Sequence, residues 1–213
     1  MATPILAVIG TGHIGRTLAL LLTKGNRPVL IAAREQAKAL ELAAEAGPLA
    51  RAVPIAEAVK TADIIIPAIW FSSIREFLVT YADDLAGKIL VDPSNPIAPD
   101  GNGGFVKVVG ETESAGEINA SFLPAGARLA KALGTLGAAT LAASSGQTPD
   151  PAVLFYATDD RAIDPAVEEL IRDTGFEPFR VGGLDQSIRI EVFGDLHEFG
   201  ALGKTVTKAE VAL

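Results

Sequence analysis

The run Gly10-Thr11-Gly12-His13-Ile14-Gly15 constrains this chain more than any other feature. The pattern G-x-G-x-x-G means little alone, because glycine-rich turns are common. Here its context is specific: it follows an apolar stretch at residues 5–9 and opens a helical stretch at 14–24 with Leu18, Leu21 and Leu22 on one stripe. A second apolar stretch, 28–32, closes the unit, so the whole reads as strand, turn, helix, strand within about thirty residues. Each glycine has a physical task. Gly10 permits the tight turn, Gly12 has no Cβ and lets a pyrophosphate approach the backbone, and Gly15 lets the helix pack on the strand. The first amides of that helix then hold the anion with the positive end of its dipole.

The alternation continues along the chain. Strands are expected at 5–9, 28–32, 63–69, 88–91, 127–133, 152–158 and 176–181, and helices at 14–24, 35–46, 55–60, 72–85, 113–122, 160–174 and 185–202. Ser72 or Ser73 is placed to cap the fourth helix, with Glu76 completing a capping box. The strands read as unbroken Val/Ile/Leu runs, which is the pattern of a sheet covered on both faces. Strand–helix alternation joined by right-handed crossovers gives an α/β, Rossmann-like, doubly wound and mostly parallel sheet. One domain over 1–213 is expected, with a helical C-terminal tail from roughly 185 to 213 that completes the site or a dimer.

Composition narrows the chemistry. The chain has 213 residues and no cysteine, which excludes disulfides, thiolate metal sites, iron–sulfur clusters and a cysteine nucleophile. Its two histidines, His13 and His197, are too few for a three-histidine zinc site. A net charge of −8 argues against a nucleic-acid face, which is basic, while leaving room for a small anion held by a local cluster. Although 49% of residues are hydrophobic, the longest apolar stretches, 18–22 and 64–71, fall well short of the ~20 residues a membrane helix needs. The first residues carry no Lys or Arg, unlike a secretory signal. A cytoplasmic protein without membrane or nucleic-acid partners is expected.

The end of the second strand selects the dinucleotide. An NAD site expects Asp or Glu there for the ribose hydroxyls, but the chain reads Ala32-Ala33-Arg34. Arg34 offers a permanently charged fork suited to a phosphate. Lys38 stands four residues on, on the same helical face, and Thr11 adds a hydroxyl, so NADP(H) is expected; Glu35, beside Arg34, is the counter-signal. The nicotinamide end belongs at the carboxyl ends of later strands, beside the switch point of the sheet. That places Ala68, Ile69 and Trp70 at the end of the strand 63–69, Asn95 and Pro96 after 88–91, and Gly134 and Thr135 after 127–133. Trp70, the only tryptophan, is placed to shield a ring, and the loop 95–104 is a candidate lid.

Hydride transfer to a flavin-like ring needs two planar rings held together and water kept out. Reduction of a carbonyl or imine needs a positioned proton donor as well. His197, Lys131, Tyr156 and Tyr81 are the candidates, none in a motif. Flanked by Asp195 and Glu198, His197 reads as an exposed helical histidine, and Lys131 as a surface lysine at a strand end. No catalytic residue is assigned. The alternatives are a small-carbonyl or imine reductase and a non-catalytic NADPH-binding redox sensor.

The residues 10–15, Ala32-Ala33-Arg34, and the run 85–96 ending Asp92-Pro93-Ser94-Asn95-Pro96 together resemble the NADPH-dependent coenzyme F420 reductase family. So do the runs 155–160 and 170–178. The similarity spans about residues 5–202 in the same order. It implies a Rossmann-like NADP domain with a small C-terminal part closing the site, a homodimer, and hydride exchange between NADPH and the deazaflavin F420; broader relatives use flavins such as FMN or FAD, or metal-reducing chains. Two departures stand out. Ala33 replaces the serine usual before the phosphate-binding arginine, and Lys131-Ala132-Leu133-Gly134-Thr135 replaces a Lys-Ala-Phe-Asn-Thr run.

Overall fold

In the computed structural model, which describes residues 3–211, the chain runs β1 Leu6–Ile9, α1 His13–Lys24, β2 Val29–Ala32, α2 Gln36–Ala46, β3 Ala50–Ala52, α3 Ile55–Thr61, β4 Ile64–Pro67, α4 Phe71–Thr80, α5 Ala82–Leu85, β5 Ile89–Asp92, β6 Ile97–Pro99 and β7 Phe105–Lys107. It continues through α6 Ala115–Ala120, β8 Arg128–Ala132, α7 Ala138–Ser144, β9 Val153–Ala157, α8 Asp164–Asp173, β10 Glu177–Gly182, α9 Ser187–Ile190 and α10 Lys208–Val211. Eight strands form one sheet in the order β10-β9-β8-β5-β4-β1-β2-β3. All neighbours pair parallel except β8 and β9.

Period-two alternation assigns each strand residue to one of two cores. Leu6, Val8, Val29, Ile31, Ile64, Ile66, Ile89 and Val91 face one layer, with Leu18, Leu22, Leu42 and Leu170 of the helices. Ala7, Ile9, Leu30, Ile65 and Leu90 face the other, against Val59, Ile74, Phe77 and Leu78. Burial on both faces explains why these strands lack a polar side. A third, smaller core covers the outer face of β9, where Val153, Phe155 and Ala157 meet Ile190 and Val206. No described helix is long and apolar enough to cross a membrane.

The structure corrects three local expectations. The predicted helix 185–202 is a short 3-10 turn, the single turn of α9, and then irregular chain folded back on itself. Phe193 takes a left-handed φ of 73°, Leu196 N donates to Arg189 O at 2.8 Å and Gly200 N to His197 O at 2.9 Å. A Cβ at Gly194 would overlap the Ile188 carbonyl, and one at Gly200 the Gly194 carbonyl. Close backbone packing of that kind is incompatible with a continuous helix. The only further helix in the described tail is α10; residues 212 and 213 lie outside the described residues.

At α4 the cap is Trp70, with no side-chain hydrogen bond, because Ser72 and Ser73 fall inside the first turn. A side-chain cap sits instead at α6, where Ser114 Oγ accepts from Glu117 N at 3.1 Å and donates to Glu117 Oε2. The loop 95–104 enters a hairpin of β6 and β7, whose turn is held by Asp100 Oδ1 accepting from Asn102 N and Gly104 N. Those amide bonds hold the exposed Asp100 carboxyl below the usual carboxylate range. The short strands β3, β6 and β7 carried too little periodicity to be read from sequence.

Candidate functional site

Strands β2, β1, β4, β5 and β8 lie side by side and parallel, so their carboxyl ends form one edge, about 19 Å long at ~4.8 Å per strand. Along that edge stand, in order, Ala33-Arg34, the glycine turn 10–15, Ala68-Ile69-Trp70, Ser94-Asn95-Pro96 and Leu133-Gly134-Thr135. The chain departs to opposite sides after β1 and after β4, which makes this pair the switch point where open α/β sheets bind ligands.

The glycine turn shows why two of its glycines belong to the fold and one does not. Gly10 has φ +112° and its Cβ would overlap the Ala68 carbonyl oxygen, while one at Gly15 would overlap the Gly10 carbonyl. These contacts lock the turn against the segment after β4, and Gly10 N donates to Ala32 O at 2.8 Å. Gly12 is different: a Cβ there meets nothing within 4 Å, and its φ of −69° suits any residue. Gly12 caps α1 without a side-chain bond, and the first turn of α1 carries no acidic residue. Thr11 is half-buried, and His13 is exposed at the first position of the helix. The start of α1 is therefore an uncapped helix terminus, as an anion requires.

Arg34 is exposed and makes no ion pair or side-chain hydrogen bond among the described residues. It precedes α2, whose cap is Glu35, so Arg34 and Lys38 do not share a helical face as the spacing implied. Lys38 Nζ is instead bonded to Glu35 Oε1 at 2.7 Å. The counter-signal Glu35 is thus neutralised by Lys38, and Arg34 is left as the free positive group beside Ala33. These features fit a phosphorylated dinucleotide: an uncapped helix, open space at Gly12 and an unpaired guanidinium.

Further along the edge, Ala68 and Ile69 pack on Gly10. Trp70 is 54% exposed and lies 6.4 Å from Phe105 of the hairpin, ring centroid to centroid. Asn95 Nδ2 donates to Gly134 O at 3.0 Å and its Oδ1 accepts from Val192 N at 2.7 Å. Pro96 is buried. A Cβ at Gly134 would overlap the Pro93 carbonyl, so glycine is required for the post-β5 and post-β8 segments to meet. Leu133, just before it, takes a left-handed φ of 66°. The hydroxyls of Ser94 and Thr135 are buried here without a partner.

Beneath this end lies a charged cluster that sequence reading missed. Lys131, expected at the surface, is buried with its Nζ 3.2 Å from Asp92 Oδ2 and bonded to the Ser94 carbonyl. Asn119 Nδ2 donates to Asp92 Oδ2 at 2.8 Å, and Ser94 N to Asp92 Oδ1 at 2.7 Å. Nearby, Glu191 accepts from Ala115 N and Gly116 N, each at 2.9 Å; burial raises its carboxyl above the usual range, against the pull of Lys131 and the two amides. One signal was available. Asp92 closes the otherwise apolar β5 and Lys131 interrupts the apolar Leu129–Leu133 stretch, and they face each other in the parallel register.

Of the other candidate proton donors, Tyr156 and His197 are hydrogen-bonded and Tyr81 lies away from the edge. Burial raises the Tyr156 hydroxyl, helped by its hydrogen bond to Glu168 at 2.9 Å. Tyr81 packs on Phe77 at the far end of α4. His197 is 1% exposed, not the surface histidine its carboxylate neighbours implied. Its Nδ1 accepts from Phe199 N and its Nε2 meets Gly134 O, both at 3.0 Å, so the neutral Nε2–H tautomer fits both. Burial lowers its pKa, opposed by the bond to Gly134 and by Glu198.

Comparison with known proteins agrees with this geometry. Residues 5–96 match the family model for NADP oxidoreductases, coenzyme F420-dependent. An F420-dependent NADP reductase of Methanothermobacter marburgensis is 30% identical over 192 residues, 85% of each chain. The metalloreductase STEAP3 of Rattus norvegicus is 29% identical over 188 residues, 88% of this chain but only 36% of that one, so the chain spans about a third of that relative's length. A solved structure of a hypothetical protein from Sinorhizobium meliloti superposes with a TM-score of 0.83 at 30% identity, over 96% of both chains. Similarity over nearly the full length, carried on a Rossmann-like sheet with an intact glycine turn, shows that the chain belongs to the family of coenzyme F420-dependent NADP oxidoreductases.

Proposed function

We propose that the protein passes a hydride between NADPH and a planar redox ring, with F420 the first acceptor and a flavin the second. The observation that carries this reading is the single edge that offers anion-binding and ring-binding groups in dinucleotide order, while Lys131, Tyr156 and His197 are each already hydrogen-bonded. The nicotinamide, when bound, supplies the hydride, and solvent balances the proton. The chain's own residues bind and orient. Arg34 pairs with the adenosine phosphate, and the amides around Gly12 and His13 hold the pyrophosphate. Ala68, Ile69, Pro96 and Gly134 border the ring, with Trp70 shielding it from water. A positioned hydride needs little more, since proximity and orientation alone are worth about 7–11 kcal/mol of barrier.

Similarity to the F420-dependent NADP reductase of Methanothermobacter marburgensis supports F420 as the acceptor. Carbonyl or imine reduction is less well served, because Lys131 is paired with Asp92 and Tyr156 with Glu168. The test follows NADPH absorbance with F420, FMN, FAD and a panel of carbonyls and imines. Oxidation with a ring acceptor is expected. Oxidation only with carbonyls or imines, or tight NADPH binding with no turnover, defeats the reading.

A further inference from the structure

The carbonyl oxygen of Gly134 is gripped from two sides. Asn95 Nδ2, from the segment after β5, donates to it at 3.0 Å. His197 Nε2, from the C-terminal segment, meets it at the same distance. Both side chains are also tied at their other end: Asn95 Oδ1 accepts from Val192 N, and His197 Nδ1 from Phe199 N. Glu198 N donates to Thr135 O at 3.3 Å and Glu198 Oε1 accepts from Gly137 N at 2.7 Å. Every polar atom of both side chains is spent on backbone, which fixes the left-handed turn at Leu133, and Gly134 after it, against residues 192–199. Among the described residues three non-glycine residues have positive φ, and two of them, Leu133 and Phe193, lie on the segments so joined. Such backbone persists only where its surroundings over-determine it.

The geometry points to Asn95 and His197 as positioning residues for hydride transfer, acting through the Gly134 carbonyl to set the distance between the post-β8 turn and the C-terminal segment. This rests on the function proposed above, and it takes Asn95 out of direct contact with the cofactor. Neither side chain meets the reacting atoms; both hold the backbone that borders them. His197 works only in its neutral form, because a proton on Nδ1 removes the acceptor for Phe199 N. The charged groups facing its ring are Glu198 on its own segment and Lys131 on β8, the latter balanced by Asp92 and adjacent to Glu191.

The test compares wild type with Asn95→Ala, His197→Leu and His197→Gln. Amide exchange is read in 133–137 and 192–199, NADPH affinity by titration, and kcat against pH with whichever ring acceptor the wild type reduces. The positioning role predicts faster exchange in both segments for Asn95→Ala and His197→Leu. It predicts a kcat loss of about 10–100-fold, as for a displacement near 1 Å, with NADPH affinity within about threefold. His197→Gln keeps a donor for Gly134, so it recovers most of the turnover and loses the acid limb of the pH profile. Wild-type exchange and kcat in folded Asn95→Ala, or an intact acid limb in His197→Gln, overturn the proposal. If the leucine variant does not fold, the other two decide. If wild type reduces no ring acceptor, the function proposed above has failed, and the exchange data still judge the bracket by themselves.

Discussion

Substituting Gly12 by alanine separates cofactor binding from folding, because the structure assigns this glycine no steric task of its own. A Cβ there meets no atom within 4 Å, and φ −69°, ψ −176° is open to alanine. Two stability terms remain, of opposite sign. Alanine lowers the entropy of the unfolded chain, worth about 0.4–1 kcal/mol, and it is a poorer helix cap than glycine by a similar amount. They cancel to within about 1 kcal/mol, so Tm stays within about 2–4 °C of wild type. Binding behaves differently. If the pyrophosphate lies against Gly12, the new methyl occupies its place, and an overpacked contact costs about 1–3 kcal/mol. That is roughly a 5–150-fold weaker NADPH Kd.

The control is Gly10→Ala, where a left-handed φ and overlap with the Ala68 carbonyl strain the fold itself, so Tm and binding fall together. Thermal denaturation and NADPH titration on the same samples supply both numbers. A Gly12→Ala protein that binds NADPH as wild type does would refute the placement of the pyrophosphate, whatever its Tm.

Arg34→Ala removes an exposed, unpaired guanidinium, so Tm should not move. NADPH affinity should fall about 10–150-fold, the worth of a charge-assisted bond of roughly 1.5–3 kcal/mol, while NADH affinity, titrated in parallel, stays put. Glu191→Gln sets a side-chain NH2 against the amide of Ala115 or Gly116, both of which need an acceptor. Leaving a buried donor unpaired costs about 1–3 kcal/mol, read as a Tm several degrees lower. The pH dependence of Tm should carry a histidine component. The folded-state pKa of His197 is depressed by burial, so its contribution is complete above the unfolded value of ~6.5 and is lost as pH falls below it, where the unfolded chain takes up a proton that the folded chain refuses. Glu191, raised by burial, acts with the opposite sign. The difference between wild-type and His197→Gln melting curves therefore isolates the histidine, and a difference flat from pH 5 to 8 contradicts its assignment.

The sequence by itself determined the sheet and the glycine turn with Arg34 at the neighbouring strand end. Unbroken apolar runs and a helix–strand alternation suffice for a two-faced parallel sheet, since each strand's pattern is fixed by burial on both sides. The glycine turn and Arg34 are legible because each is a local device: a φ, a missing Cβ, a charge at a strand end. What joins distant segments was not legible. The pairing of Lys38 with Glu35 depended on where α2 begins, a matter of one or two residues. Lys131, His197, Glu191 and Asn95 read as ordinary polar residues until tertiary structure brought residues 92–96, 131–135 and 191–199 together. Only there could buried charge find partners, and only close packing at Gly194 and Gly200 could turn an expected helix into a folded-back strap. Propensity is summed over neighbours in sequence, whereas the cost of burying a charge or an amide is decided by neighbours in space.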